Sequence, residues 1–230
     1  MRLGALVVAA CAAGCGLISS DVADFNLDLP EKNFSIDASS WQVDDAQAQM
    51  LLGMNCGSAP AVCNTAAQAA CEMNCTGTCN ASQRCELNLD VSLYQPINLL
   101  TEKPELKSIN DQPVIRVTID SVTYDVVTNT LNVATPELTV YVAPMSVMDP
   151  KDPEAVPIGT IASIDAGATT ASSEAIAFNA DGRAKLIGMM STYKTPFNVI
   201  VGSSITVRQG QMVPMGKLDA VIHIRAHAGL

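Results

Sequence analysis

The residues in this chain whose types and spacing most invite chemistry are its cysteines. Six of the eight fall in one run, Cys56-x6-Cys63-x7-Cys71-x3-Cys75-x3-Cys79-x5-Cys85. Thiolates hold zinc, iron–sulfur clusters or haem, or act as redox centres, and each use has its own spacing. Structural zinc sites favour C-x2–4-C pairs followed by a second pair or by histidines. The x3 gaps fit that range, but the segment holds no histidine. No CxxC occurs, which removes the thioredoxin-like redox motif, and no CxxCH, which removes covalent c-type haem attachment. Iron–sulfur ligation generally uses x2 or x4 runs, and none is present. What remains is an even set of cysteines able to pair with one another, in any of 15 ways.

Other constellations are thinner. The two histidines, His223 and His227 in "VIHIRAHAG", would share a metal at helical spacing. The alternation of Leu218, Ala220, Ile222, Ile224 and Ala226 instead predicts a strand. At ~3.3 Å per residue their backbones then lie ~13 Å apart, so they share a face but not an ion. No GxSxG and no HExxH is present, and "VGSS" at Val201 to Ser204 lacks the second glycine. Asp149, Asp152 and Glu154 in "DPKDPE" bring three calcium-type carboxylates together. The loop has no EF-hand spacing, and its prolines predict a stiff solvated segment. No metal and no cofactor is expected.

The compartment decides how the cysteines are read, and the first residues indicate it. "MRLGALVVAACAAGCG" carries one basic residue, Arg2, then an apolar stretch from Leu3 to about Ala13. That is too short to span a bilayer, which needs about 20 apolar residues, but suits the apolar region of a secretion signal. It ends in Ala12-Ala13-Gly14-Cys15, which resembles the lipobox of bacterial lipoproteins. The resemblance covers only these residues. It departs from the family at Ala12, where leucine is commoner; Val8 to Cys11 fits that position better but leaves a very short apolar region. The resemblance implies cleavage after residue 14, a lipid on Cys15 and a location in the bacterial cell envelope. Gly16, where the enterobacterial inner-membrane retention signal has aspartate, leans towards the outer membrane. Disulfides persist outside the cytoplasm, so Cys56, Cys63, Cys71, Cys75, Cys79 and Cys85 are expected to form three.

Composition narrows the partners. Formal net charge is −10 with no basic run, and non-specific nucleic-acid binding works through phosphate neutralisation by Lys and Arg, so that partner is excluded. An acidic surface also disfavours docking on anionic headgroups, which leaves the lipid as the membrane attachment. Aromatics are 4% of the residues, few for the platforms on which glycosidases bind sugar.

The elements that must position these residues are mostly strands. Residues 1–14 read as signal peptide, 15–24 as lipidated cysteine and tether, and 25–230 as one β domain interrupted by a cysteine-rich helical insertion at 56–85. Phe25, Leu27, Leu29, Phe34 and Ile36 alternate at period two, as do Leu87, Leu89, Val91 and Leu93. Strands are predicted at 114–127, 131–133, 138–142 and 158–164, and two or three more close the chain. Asp44 to Gly53 predicts a helix with Asp44 or Asp45 as cap. Thr65 to about Asn74 predicts another, capped by Asn64, followed by a loop at "TGT". That helix would put Cys71 and Cys75 on one face, bonding outward to Cys79 or Cys85 and to Cys56 or Cys63. A third, capped by Asp181, would bury Leu186, Ile187, Met189 and Met190. Turn-spaced strands without βαβ alternation predict an antiparallel sandwich or barrel. The functional expectation is a non-enzymatic envelope protein with a binding or structural role. A carboxylate-based hydrolase and an apolar small-ligand carrier are the alternatives.

Overall fold

Among residues 25–57, 59–109 and 114–229, which the computed structural model describes, strands dominate. The expected signal peptide, Cys11, Cys15 and tether lie outside the described residues. The order is β1 (Phe25–Asn26), β2 (Lys32–Asp37), α1 (Asp45–Gly53), α2 (Ala61–Ala70), β3 (Cys75–Cys79), β4 (Cys85–Ile97), α3 (Leu99–Glu102), β5 (Arg116–Asn129), β6 (Leu138–Pro144), β7 (Val156–Ile161), β8 (Glu174–Ala175), β9 (Ala177–Phe178), α4 (Gly182–Ser191), β10 (Phe197–Val207) and β11 (Lys217–Gly229). Short 3-10 segments sit at Ala38–Trp41 and Pro104–Ile109.

All pairings are antiparallel. β1 and β2 run one after the other along β11, from Phe25 opposite Ala228 to Asp37 opposite Lys217. β5 lies on the other side of β11 and carries β8. The second sheet runs β3-β4-β10-β6-β7-β9. Period-two alternation then fills the space between the sheets: Phe34, Ile36, Leu218 and Ile222 from the first face Leu93, Leu138, Ile161 and Val201 from the second. The void left among them is only about 20 Å³, so the interior is a packed core. The carrier reading finds no internal cavity at this place.

The choice between sandwich and barrel resolves into a sandwich bridged along both sides. On one side a single segment switches sheets: β8 pairs with β5, buried Ile176 crosses with its N–H donating to the Val122 carbonyl, and β9 pairs with β7. On the other, side chains span the gap. Gln95 Nε2 donates to the Asn33 carbonyl at 2.7 Å, and Trp41 Nε1 to the Asp90 carbonyl at 2.9 Å. The apolar run of β10 reflects burial on both faces. Its outer face is covered by the 145–155 connection, held by Asn198 Nδ2 donating to the carbonyls of Met145 and Val147.

Several helix and strand expectations hold. Asp44 caps α1, accepting from the Gln47 N–H at 2.9 Å. In α4, Leu186 and Met190 are fully buried, with Ile187 and Met189 packed beside them. Asp181, the expected cap, makes no side-chain capping bond; Asn179 accepts from the Asp181 and Gly182 N–H groups instead. The cysteine segment needs correction. α2 starts at Ala61 behind Pro60, which suits a helix start, so Asn64 lies inside the helix and caps nothing. It ends at Ala70 because Cys71 is extended and Asn74 takes a left-handed φ of 55°, a conformation asparagine tolerates. "TGT" is strand β3, not a loop: Thr76 and Thr78 are β-branched and face out, and Gly77 faces in. A side chain on Gly77 would run into the Cys63 carbonyl of α2, so glycine lets the helix backbone lie on the strand. Residues 131–133 are no strand either. Asn129 Oδ1 accepts from the Leu131 N–H and turns the chain, and Asn132 is then tied to the β10–β11 connection.

Candidate functional site

The paired ends of β2 and β11 open into two chain segments that face each other across a cleft of about 1090 Å³. Asp37 starts one wall. Its Oδ1 accepts from the Ser39 N–H at 2.9 Å and from Ser39 Oγ at 2.7 Å, capping the Ala38–Trp41 turn. Gln42 follows in the left-handed region, φ 50°, and redirects the chain into α1. Gln42, Val43, Asp45 and Gln49 thereby line the cleft.

The opposite wall is the β10–β11 connection, residues 208–216. Gln211 Oε1 accepts from the Arg208 N–H at 2.7 Å, and Gly210 takes a φ of 83°. Gly216 has a φ of 88° and lies against the Thr130 carbonyl with no room for a side chain. Asn132 holds the connection at two points, Oδ1 accepting from the Met215 N–H at 2.7 Å and Nδ2 donating to the Val213 carbonyl at 3.1 Å. A braced loop thus presents Met212 and Met215 at 61% and 62% exposure. Thioethers are adaptable apolar contact groups, and these two flank Val213 and Pro214 on the cleft wall.

Charge in the cleft is mostly settled internally. Hydrogen bonds from Ser39, side chain first and backbone second, hold the Asp37 carboxyl below its ordinary pKa. Lys217 Nζ lies 2.9 Å from Asp219 Oδ2, which raises the lysine pKa and lowers that of Asp219; Ser35 Oγ adds a bond to Asp219 at 2.8 Å. A general acid for hydrolysis needs a carboxyl with a raised pKa. Asp37 is displaced the other way. The arrangement offers apolar contact with a polar rim, the form of a binding site.

The sequence-predicted residues lie elsewhere. The six cysteines form three disulfides, Cys56–Cys79, Cys63–Cys85 and Cys71–Cys75. The expected outward bonding of Cys71 and Cys75 fails because neither is helical. They flank the turn that ends α2, with Cα atoms 6.5 Å apart, and close on each other. His223 and His227 both lie on β11, each with its own carboxylate: His223 Nε2 is 2.8 Å from Asp125 Oδ2, and His227 Nδ1 is 3.0 Å from Asp120 Oδ1. Ser173 Oγ also donates to Asp125 Oδ2, at 2.9 Å. The carboxylate therefore sits between serine and histidine, whereas a nucleophilic triad needs histidine between the other two. Ser203 Oγ donates to the Glu137 carbonyl at 2.8 Å. Asp149 and Asp152 accept from the N–H groups of Lys151 and Glu154, closing successive Asx turns. The cleft residues escape a sequence reading because "QGQMVPMG" announces only a turn; the exposure of its methionines depends on Asn132, far away in the chain. No family model matches the chain, and neither a curated protein nor a solved structure matches it.

Proposed function

We propose that this is a lipid-anchored protein of the bacterial cell envelope, held by Cys15 at the outer membrane, with a non-catalytic binding role carried by the cleft. The anchor rests on the lipobox resemblance of Ala12-Ala13-Gly14-Cys15, and the binding role on a polarity of the fold. The chain enters the domain at Phe25, opposite Ala228, while the cleft forms at Asp37, opposite Lys217. Along β11 these points are ~35 Å apart at ~3.3 Å per residue. A domain tethered through residues 15–24 would carry its entry end next to the membrane and its cleft at the far end. Three acyl chains on the cysteine would suffice for attachment, since two signals already anchor stably. The cleft supports a binding role through its two exposed methionines beside Val213 and Pro214.

The test is the mass of the N-terminal peptide of the native protein, with cell fractionation. The expected peptide starts at Cys15 with added lipid mass, and Cys15→Ser releases the domain from the membrane fraction while Cys11→Ser does not. An unmodified N-terminal peptide, or membrane attachment unchanged by Cys15→Ser, overturns the anchor. A cleft substitution such as Met215→Glu is expected to leave attachment intact and to abolish partner recovery by crosslinking at Met212.

A further inference from the structure

We infer that Cys56, Cys63, Cys79 and Cys85 have a second state: a four-thiolate site, three of its residues buried and Cys79 half-buried, for a tetrahedral divalent cation of the zinc type. The two disulfides they form are packed against each other. The sulfurs of Cys56, Cys63 and Cys85 all lie within 4.8 Å of one another, although Cys56 is bonded to Cys79 and Cys63 to Cys85. All three residues are at most 1% exposed. Cys79, the fourth, stands on β3 directly opposite Cys85 on β4, its sulfur bonded to that of Cys56.

Four thiolates on separate elements are what a closed structural zinc site uses. Zinc–sulfur bonds of about 2.3 Å place ligand sulfurs ~3.8 Å apart in a tetrahedron. The distances from Cys56 to Cys63 and Cys85 need to close by about 1 Å or less to reach that spacing, and the two bonded pairs open to it. The Cys79 sulfur stands outside the 4.8 Å group of the other three, so once released from Cys56 it has to swing inward to complete the tetrahedron. The surrounding backbone does not depend on the sulfur bonds alone. The Cys56 N–H donates to the Gln83 carbonyl at 3.0 Å, the Cys85 N–H to the Met54 carbonyl at 3.2 Å, and the β3–β4 ladder fixes Cys79. Cys63 lies in the first turn of α2, where helix amides favour a thiolate. Cys71 and Cys75 sit at the other ends of α2 and β3 and take no part.

Conversion is balanced by a dithiol reductant. Each protein disulfide gains two electrons and two protons, and each reductant dithiol loses the same and closes its own disulfide. Binding the dication then releases the four thiol protons. The site is thus filled only in chain that has been reduced or has not yet been oxidised.

The probe is Co(II), added without oxygen to the full chain carrying Cys11→Ser and Cys15→Ser after phosphine reduction. Expected are one equivalent bound, thiolate-to-cobalt charge-transfer absorption with tetrahedral d–d bands, and displacement by one equivalent of Zn(II). Cys63→Ser and Cys85→Ser should each weaken binding at least tenfold, while the double variant Cys71→Ser/Cys75→Ser stays within twofold. Circular dichroism followed during the titration covers unfolding on reduction: recovery of the β signal at one equivalent of Zn(II) supports the site. Absence of charge-transfer absorption, equal loss in the Cys71/Cys75 variant, or a reduced chain that zinc does not refold overturns it.

Discussion

Lys32 Nζ lies 2.7 Å from Glu102 Oε1, an ion pair across 70 residues whose side chains are only 10% and 14% exposed. Lys32 opens β2, and Glu102 closes α3 on the β4–β5 connection. Glu102 Oε1 also accepts from the Asn98 N–H at 3.3 Å, while Oε2 is buried without a partner among the described residues. Removing one member of such a pair strands a buried charge and costs about 3–5 kcal/mol, whereas replacing both by apolar residues is often neutral. Lys32→Met and Glu102→Leu are each expected to lose about that much in urea unfolding, and the double variant to regain most of it. Single variants within about 1 kcal/mol of wild type would show that the pair is solvated.

The three disulfides close loops of different size, with sequence separations of 23, 22 and 4. On the chain-entropy account a loop of the larger size is worth about 3 kcal/mol and the short one about 2. Cys63→Ala/Cys85→Ala should therefore destabilise more than Cys71→Ala/Cys75→Ala, by about 1 kcal/mol from entropy and further because the longer bridge ties α2 to β4. Intact mass with alkylation checks the count: Cys56 to Cys85 should take six alkyl groups only after reduction.

Legibility in the sequence followed the range of the interactions. Strands were readable where one face is buried, as at Leu87, Leu89 and Val91, because period two is a local consequence of a distant core. α1 was readable because Asp44 is a local cap. The α2 boundaries were not, because the Cys71–Cys75 bond and the left-handed Asn74 end the helix, and no pairing rule selects that bond from six cysteines. Strand β3 was hidden because its Gly77 reads as a turn residue until α2 is seen lying on it. The cleft was invisible for a related reason. Its walls, Gln42 to Gln49 and Gly210 to Lys217, come together only through the pairing of Asp37 with Lys217, and nothing in either stretch signals the other.

Gly77 is the point where α2 meets β3, and any side chain there meets the carbonyl of Cys63 and the amide of Asn64. These are backbone atoms that cannot rotate away. Gly77→Val would otherwise suit a strand, since valine has the higher β propensity. It is expected instead to cost about 1–3 kcal/mol as an overpacked contact and to yield mispaired disulfides on refolding, read by peptide mapping. A Gly77→Val protein as stable as wild type, with native pairing, would falsify the close-approach account.

Acid sensitivity follows from three carboxyls. Burial raises the Glu86 pKa, but bonds from Arg208 Nε at 2.7 Å and Asn80 Nδ2 at 3.0 Å outweigh it, leaving the group below its ordinary value. Asp37 and Asp219 are lowered as well, by Ser39 and by Lys217 with Ser35. A carboxyl with a depressed native pKa contributes stability that is fully present above its unfolded pKa and lost as pH falls through the native one. The melting temperature should hold steady from neutral pH to about 5 and fall below about 4. Arg208→Ala should remove part of the Glu86 contribution, so that the variant and wild type converge at the acid end. Curves that stay parallel to the lowest pH would rule out Glu86 as the source.

The alkaline limb belongs to Tyr124. Burial first, then its hydroxyl donating to Glu174 Oε2 at 2.6 Å, pushes its pKa up to about 12. A raised native pKa means the folded state holds the proton more tightly. The resulting stability is present below the unfolded value of about 10 and is lost as pH rises through the native one. Ultraviolet titration of the native protein, which has four tyrosines, should show one component near pH 12. Glu174→Gln should move that component down while leaving the burial contribution in place, because the charge is gone and the β5–β8 pairing of Tyr124 with Glu174 is made by backbone. Loss of the late component in Tyr124→Phe assigns it; a late component that survives in Tyr124→Phe, or is unmoved in Glu174→Gln, removes the carboxylate as its cause.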